Sequence, residues 1–212
     1  MQTDDLIARL SSELQPVRSG AVVRLLLGAV MVGVAGSILV MLTMIGLRRD
    51  LGSAMLSVGM WTKLVYTFAI AVLGFWLVQR AGRPGADMGA IARILLLPVL
   101  AIALLALAQL TTPGADIRHL ILGHSSRVCA FLVTLTALPT LAATFWALKR
   151  MAPTRLTLAG VGAGVFAGAA GAFVYSFHCT EGSAPFIAIW YSLGIALTAA
   201  IGGFLGRNLL RW

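Results

Sequence analysis

Residues 156–205 read LTLAGVGAGVFAGAAGAFVYSF, then HCTEGSA, then PFIAIWYSLGIALTAAIGGFL. Two apolar runs are joined by a short polar break. Each run is long enough to cross about 30 Å of hydrocarbon as a helix. Gly160, Gly164, Gly168 and Ala172 repeat every four residues on the first run, and Gly194, Thr198, Gly202 and Gly206 on the second. Small residues at that spacing let helix backbones approach closely in lipid, so the two runs are expected to pack together. The break, Phe177 to Ser183, holds Cys179, His178 and Glu181. With only two cysteines and three histidines in the chain, it concentrates much of the available chemistry.

Four more apolar runs precede this pair. They extend from about Leu25 to Leu47, Trp61 to Val78, Ala92 to Leu110, and Val128 to Leu148. The 212 residues are 59% hydrophobic and 11% charged, with mean hydropathy +0.95. A soluble domain is nearer a quarter charged. The fold class is therefore all-α: a polytopic membrane protein, a six-transmembrane-helix bundle over residues 25–212. Residues 1–24 form a short N-terminal segment. No cleavable signal peptide is expected, because the first run is too long for an h-region and no small-residue cleavage site follows it. Pro98 and Pro139 should kink the third and fourth spans. Lys63, just inside the second span, is expected to snorkel to the interface.

A net charge of +9 suggests nucleic acid in a soluble protein. Here the basic residues flank apolar runs and set orientation, and no basic stripe alternates with aromatics, so no direct nucleic-acid binding is expected. With the N-terminus inside, eleven of the 16 Lys and Arg residues fall in inner segments and five in outer ones. Both termini are thus expected in the cytoplasm, and both cysteines and all three histidines outside. Trp61, Trp76, Trp146 and Trp190 lie near span ends, where an aromatic belt places them.

In the N-terminal segment Thr3 can cap a helix, with Asp4 and Asp5 in its first turn. Leu6, Ile7 and Leu10 follow at helical spacing, and Pro16 should end the helix near Gln15. A helix of about a dozen residues is marginal alone in water and needs a surface. That surface is the bilayer or bundle on one reading, and the groove of a cytoplasmic partner on the other.

The fourth and fifth spans are joined by only a few residues, so they should be antiparallel neighbours. Cys129 and Cys179 lie at similar distances along them from that link, and so at similar height. Three readings compete: a structural disulfide, a soft-metal site with His178, Glu181, His119 and His124 as supplementary ligands, or two unrelated small apolar residues. There is no CxxC and no HxxxH. No constitutive cofactor is expected, only a transient soft metal ion at the two thiols. No nucleophile turn, paired carboxylates or phosphate-binding loop is present, so an enzyme is not expected. A small transporter or channel for a metal or metabolite is the alternative, against which the lack of mid-span ionisable residues argues.

The opening Met1-Gln2-Thr3-Asp4-Asp5-Leu6-Ile7, Leu10 and Pro16-Val17-Arg18 resembles that of the NrsF-type membrane anti-sigma factors. Length, six spans and one cysteine in each of the second and third outer loops agree. The resemblance implies a regulator that sequesters an extracytoplasmic-function sigma factor at the inner membrane of a Gram-negative bacterium. It implies release on periplasmic heavy-metal or oxidative stress, with Cys129 and Cys179 as the sensor pair. It makes Asp4, Asp5, Leu6, Ile7 and Leu10 partner contacts.

Overall fold

The computed structural model describes residues 3–12, 20–83 and 85–211. In chain order the helices are α1 (Thr3–Ser12), α2 (Ala21–Ile45), the single turn α3 (Leu51–Ala54), α4 (Val58–Ala81), α5 (Gly89–Leu110), the short α6 (Ile117–Leu122), α7 (Ser126–Lys149), α8 (Leu156–Tyr175) and α9 (Ala184–Leu209). No strand occurs among the described residues. Six stretches there are long and apolar enough to cross a membrane: α2, α4, α5, α6 continued by α7, α8 and α9. With the composition, they mark a membrane protein. The helix end expected near Gln15 lies outside the described residues, as do the side chains of Asp4, Leu6 and Leu10.

The small residues of α8 make it the axis of the bundle. Of its most apolar stretch 72% is buried, against 17% for α5 at the edge. Helices α4, α7 and α9 all pack on α8, and α2 packs on α7. A Cβ added to Gly160 would collide with the Gly202 carbonyl of α9, and one added to Gly164 with the Thr198 carbonyl. One added to Gly171 would lie 2.6 Å from the Ala137 nitrogen of α7. Gly168 faces Ile195 and Thr198 of α9, whereas Gly194 turns to Val133 and Ala130 of α7. Lipid is as apolar as the helices, so close contact and hydrogen bonds must hold them together. Ser37 and Thr140 share a buried 2.9 Å hydroxyl bond between α2 and α7, and Thr136 Oγ1 donates to the Gly171 carbonyl at 3.1 Å.

These contacts give a prediction of opposite signs. Ala normally stabilises a helix over Gly by about 1 kcal/mol. Gly28→Ala meets open space and should leave the melting temperature in detergent unchanged or slightly raised. Gly160→Ala forces two backbones apart and should lower stability by about 1–3 kcal/mol, the usual cost of overpacking. Melting of both variants in the same detergent checks this.

The prolines act differently. Pro98 cannot donate to the Ile94 carbonyl, and the helical ladder of α5 is interrupted at Leu95. Pro139 sits inside a continuous α7, packed against Gly36 of α2. Lys63 corrects the snorkelling expectation. It is 1% exposed and turns inward, because the loop between α8 and α9 folds over it and offers a carbonyl.

That loop gathers one end of the bundle. The Arg48 backbone N–H donates to the Phe177 carbonyl, and Ser183 Oγ donates to the Leu120 carbonyl at 2.7 Å. The Ala184 N–H donates to Gln109 Oε1 at 2.8 Å. Gly59, at the start of α4, lies so close to Gly182 that a Cβ there would sit 2.6 Å from its carbonyl oxygen. At the other end Leu26, Ala81, Leu148 and Leu210 share a second apolar cluster, beside the start of α2.

Candidate functional site

The 177–183 segment leaves α8 after Tyr175 and enters α9 at Ala184, so its few residues must turn within the cap of the bundle. The Cys179 N–H still donates to the Tyr175 carbonyl, which turns this residue back into the core. Cys129 lies in the first turn of α7, its N–H donating to the Ser125 carbonyl. Both cysteines are free thiols and buried, and they belong to one cluster with Tyr66, Tyr175 and Tyr191. The two thiols lie within side-chain hydrogen-bonding reach of one another. No disulfide joins them in this structure.

Around Cys179 the polar groups converge. Lys63 Nζ of α4 donates to its carbonyl at 2.7 Å, and Arg48 Nη1 to the same oxygen at 3.3 Å. The Glu181 backbone N–H points at the sulfur, as does the hydroxyl of Tyr191, which is buried without a hydrogen-bond partner of full geometry. The neighbouring Cys129 thiol, then the positive charge of Lys63, hold the Cys179 thiol below its usual range, against burial that pushes it up. Arg48 also grips Asp50 through two bonds of 2.8 and 2.7 Å, which hold that exposed carboxyl at about 2.

The structure does not bring the other candidate ligands to the thiols. His178 Nδ1 bonds the Gly46 carbonyl at 2.8 Å, and its ring packs on Tyr175. The Glu181 carboxylate accepts from the His124 N–H at 2.8 Å and lies against Gly123, whose positive φ of 48° bends the chain there. His119 stands edge-on to His124 with ring centroids 5.4 Å apart. Among the described residues no group of three or more His, Cys, Asp or Glu is placed to hold a metal ion. The supplementary-ligand set expected from the sequence is thus replaced by structural contacts that pin the loop to α2 and α6. Glu181 thus commits its carboxylate to His124 and turns its backbone N–H toward Cys179.

Three participants were missed from the sequence: Lys63, Arg48 and Tyr191. Lys63 carried a signal, since an ionisable residue inside a span is by default a functional candidate. Arg48 counts in the sequence only as one of the five outer basic residues and Tyr191 carries no signal there; their convergence on Cys179 distinguishes them.

At the opposite, N-terminal part of the chain, Asp5 and Ile7 of α1 are both exposed, Ile7 by 58%. An exposed isoleucine on a short amphipathic helix is a surface left for a partner or a membrane.

The family model described as NrsF, negative regulator of sigma F, matches residues 10–212. A probable anti-sigma-F factor NrsF of Azospira oryzae is 37% identical over 213 residues, covering all of both chains. The anti-sigma-F factor NrsF of Caulobacter vibrioides is 37% identical over 215 residues, again with full coverage of both. The chain belongs to the NrsF family. The resemblance read from its opening residues and six spans is therefore a family relationship along the whole chain. No solved structure matches it. By family, then, the chain is a negative regulator of a sigma factor.

Proposed function

We propose that this chain is an anti-sigma factor that holds an extracytoplasmic-function sigma factor at the bacterial inner membrane through α1. Oxidation of Cys129 and Cys179 on the periplasmic side releases it. Membership of the NrsF family supports the regulatory role. The excess of Lys and Arg in segments on the side of both termini supports a cytoplasmic α1. Two reduced, buried thiols within bonding reach are the single observation that carries the sensor reading. Oxidation needs only the two sulfurs, and the absence of a third ligand among the described residues favours it over a high-affinity metal site. Capture of a soft cation by two sulfurs is the second outcome to look for.

The bundle offers a route for the signal. Lys63 and Gly59 tie the start of α4 to the thiol loop. The 24 residues of α4 span about 36 Å at 1.5 Å each, enough to cross the bilayer. At its far end Val78 and Ala81 share a cluster with Leu26 of α2, the helix that follows α1. A shift of α4 is the two-state element through which a change at Cys179 would reach the N-terminal segment.

Affinity capture of the full chain from membranes tests the reading. A sigma factor should co-purify with the untreated protein. Capture of none, in membranes where the cognate sigma gene is expressed, would contradict it.

A further inference from the structure

Lys63 sets a buried ammonium, donating at 2.7 Å to the Cys179 carbonyl, beside the thiol pair. The ion pairs among the described residues are Arg48–Asp50 and His124–Glu181, and neither includes it. A neutral carbonyl does not supply the counter-charge that a buried cation requires. A thiolate next to it does, and the two cysteines are not equal candidates. The Cys129 thiol and the Glu181 backbone N–H lie near the sulfur of Cys179. Cys179 also lines a cavity of about 370 Å³ with Arg48, Arg49, Ser125 and His178. Cys129 is fully buried and not part of that wall. The Ser125 hydroxyl in the same cavity is buried without a hydrogen-bond partner, a polar atom free to receive an incoming reagent.

We propose that Lys63 is the positioning residue that keeps Cys179 as a thiolate, so that Cys179 attacks the oxidant and Cys129 resolves the product. The assignment rests on the thiol-oxidation reading above. The charged and titratable groups about Cys179 are Lys63 from α4, Cys129 from α7, Tyr175 from α8, Tyr191 from α9, Arg48 and Arg49 from the link after α2, and His178 and Glu181 on its own loop, with Asp50 and Glu181 acting on Lys63 from beyond ion-pair distance. Of the cations there, Arg49 is exposed and Arg48 already carries Asp50, which leaves Lys63 as the buried one.

The chemistry balances with a disulfide, RSSR, as oxidant. The Cys179 thiolate forms a bond to one sulfur and expels RS⁻. Cys129 then attacks the Cys179 sulfur, its proton passing to the first RS⁻, and expels the second. The proton that the Cys179 thiol gave up in forming the thiolate returns to that second RS⁻. Two protein thiols become one disulfide and RSSR becomes two RSH. The product removes the thiolate from beside the Lys63 ammonium at the start of α4, leaving it only the Glu181 and Asp50 carboxylates beyond ion-pair distance.

The test uses full-length protein in detergent, with the aromatic disulfide 4,4′-dithiodipyridine as the probe, at pH about 5.5, where an ordinary thiol is almost wholly protonated. There the gain in thiolate fraction outweighs the lower intrinsic nucleophilicity of an acidic thiol, by about tenfold. The Cys129→Ser chain, whose serine still donates to Cys179, should react at least about tenfold faster than the Cys179→Ser chain. Adding Lys63→Met to Cys129→Ser should slow it by about tenfold and move its pH midpoint upward, and Lys63→Arg should restore most of the rate. An unfolded Lys63→Met chain would expose its thiol and react faster, the opposite sign. Equal rates for the two single-cysteine chains, or a Lys63→Met rate that is unchanged or raised, would overturn the proposal. Neither result touches sigma-factor capture, and loss of capture would leave the thiol asymmetry standing.

Discussion

Replacing Leu6 and Leu10 together by alanine is expected to free the sigma factor and switch on its genes without any stress. Both positions lie one turn apart on α1, and Ile7 beside them is exposed. Buried in a partner groove, each leucine contributes roughly 1.5–3 kcal/mol by area. Ordering the helix on binding offsets part of this. At about 1.4 kcal/mol per tenfold, the pair still amounts to on the order of a hundredfold in affinity. Asp5→Asn should weaken capture less, and more at low salt than at high salt, because exposed charge is screened. Co-purification and transcription of sigma-dependent genes are the readouts. Capture at the wild-type level by the double leucine variant would move the docking surface to the links around Arg80–Arg93 or Lys149–Arg155.

Cys179→Ser is expected to abolish the response to thiol oxidants while the protein stays in the membrane and still captures its partner. The serine hydroxyl preserves the size of the side chain, and the carbonyl that holds Lys63 and Arg48 is backbone. The hub of the loop therefore survives and only the chemistry is lost. Cys129→Ser should also prevent release, through a different step: a mixed disulfide forms at Cys179 and is not resolved. Transcription after oxidant exposure separates these variants from wild type, and mass spectrometry of the trapped adduct separates them from each other. A wild-type response in both variants would reduce the pair to structural thiols.

The helical bundle was legible because its causes are local. Long apolar runs, Pro98 and the Gly160–Gly164–Gly168 stripe act over one or two turns, and the structure reflects each of them, whereas Pro139 sits inside an uninterrupted α7. The stripe on α9 was only partly legible, since Gly194 and Gly202 fall toward different neighbours. Helix α6 was missed, although Asp116 announces it by capping the His119 N–H at 3.1 Å. The site was harder to read because it is assembled across the chain. That Cys129 and Cys179 share a height follows from helix length. That Lys63 and Arg48 meet one carbonyl more than a hundred residues away follows from the packing of α4 and α2 around α8, which periodicity does not encode. Proximity in sequence misled in one respect: His178 is next to Cys179 in the chain, yet its ring is committed to Gly46.

The most direct test of the account is sigma-factor capture by the full-length protein in membranes before and after a thiol oxidant, with the thiol state of Cys129 and Cys179 read in the same samples. The account predicts capture while both thiols are free, and loss of capture in step with formation of the Cys129–Cys179 disulfide, reversed by a reductant. Capture that is unchanged when the disulfide is complete, or that is lost while both thiols remain free, would contradict it.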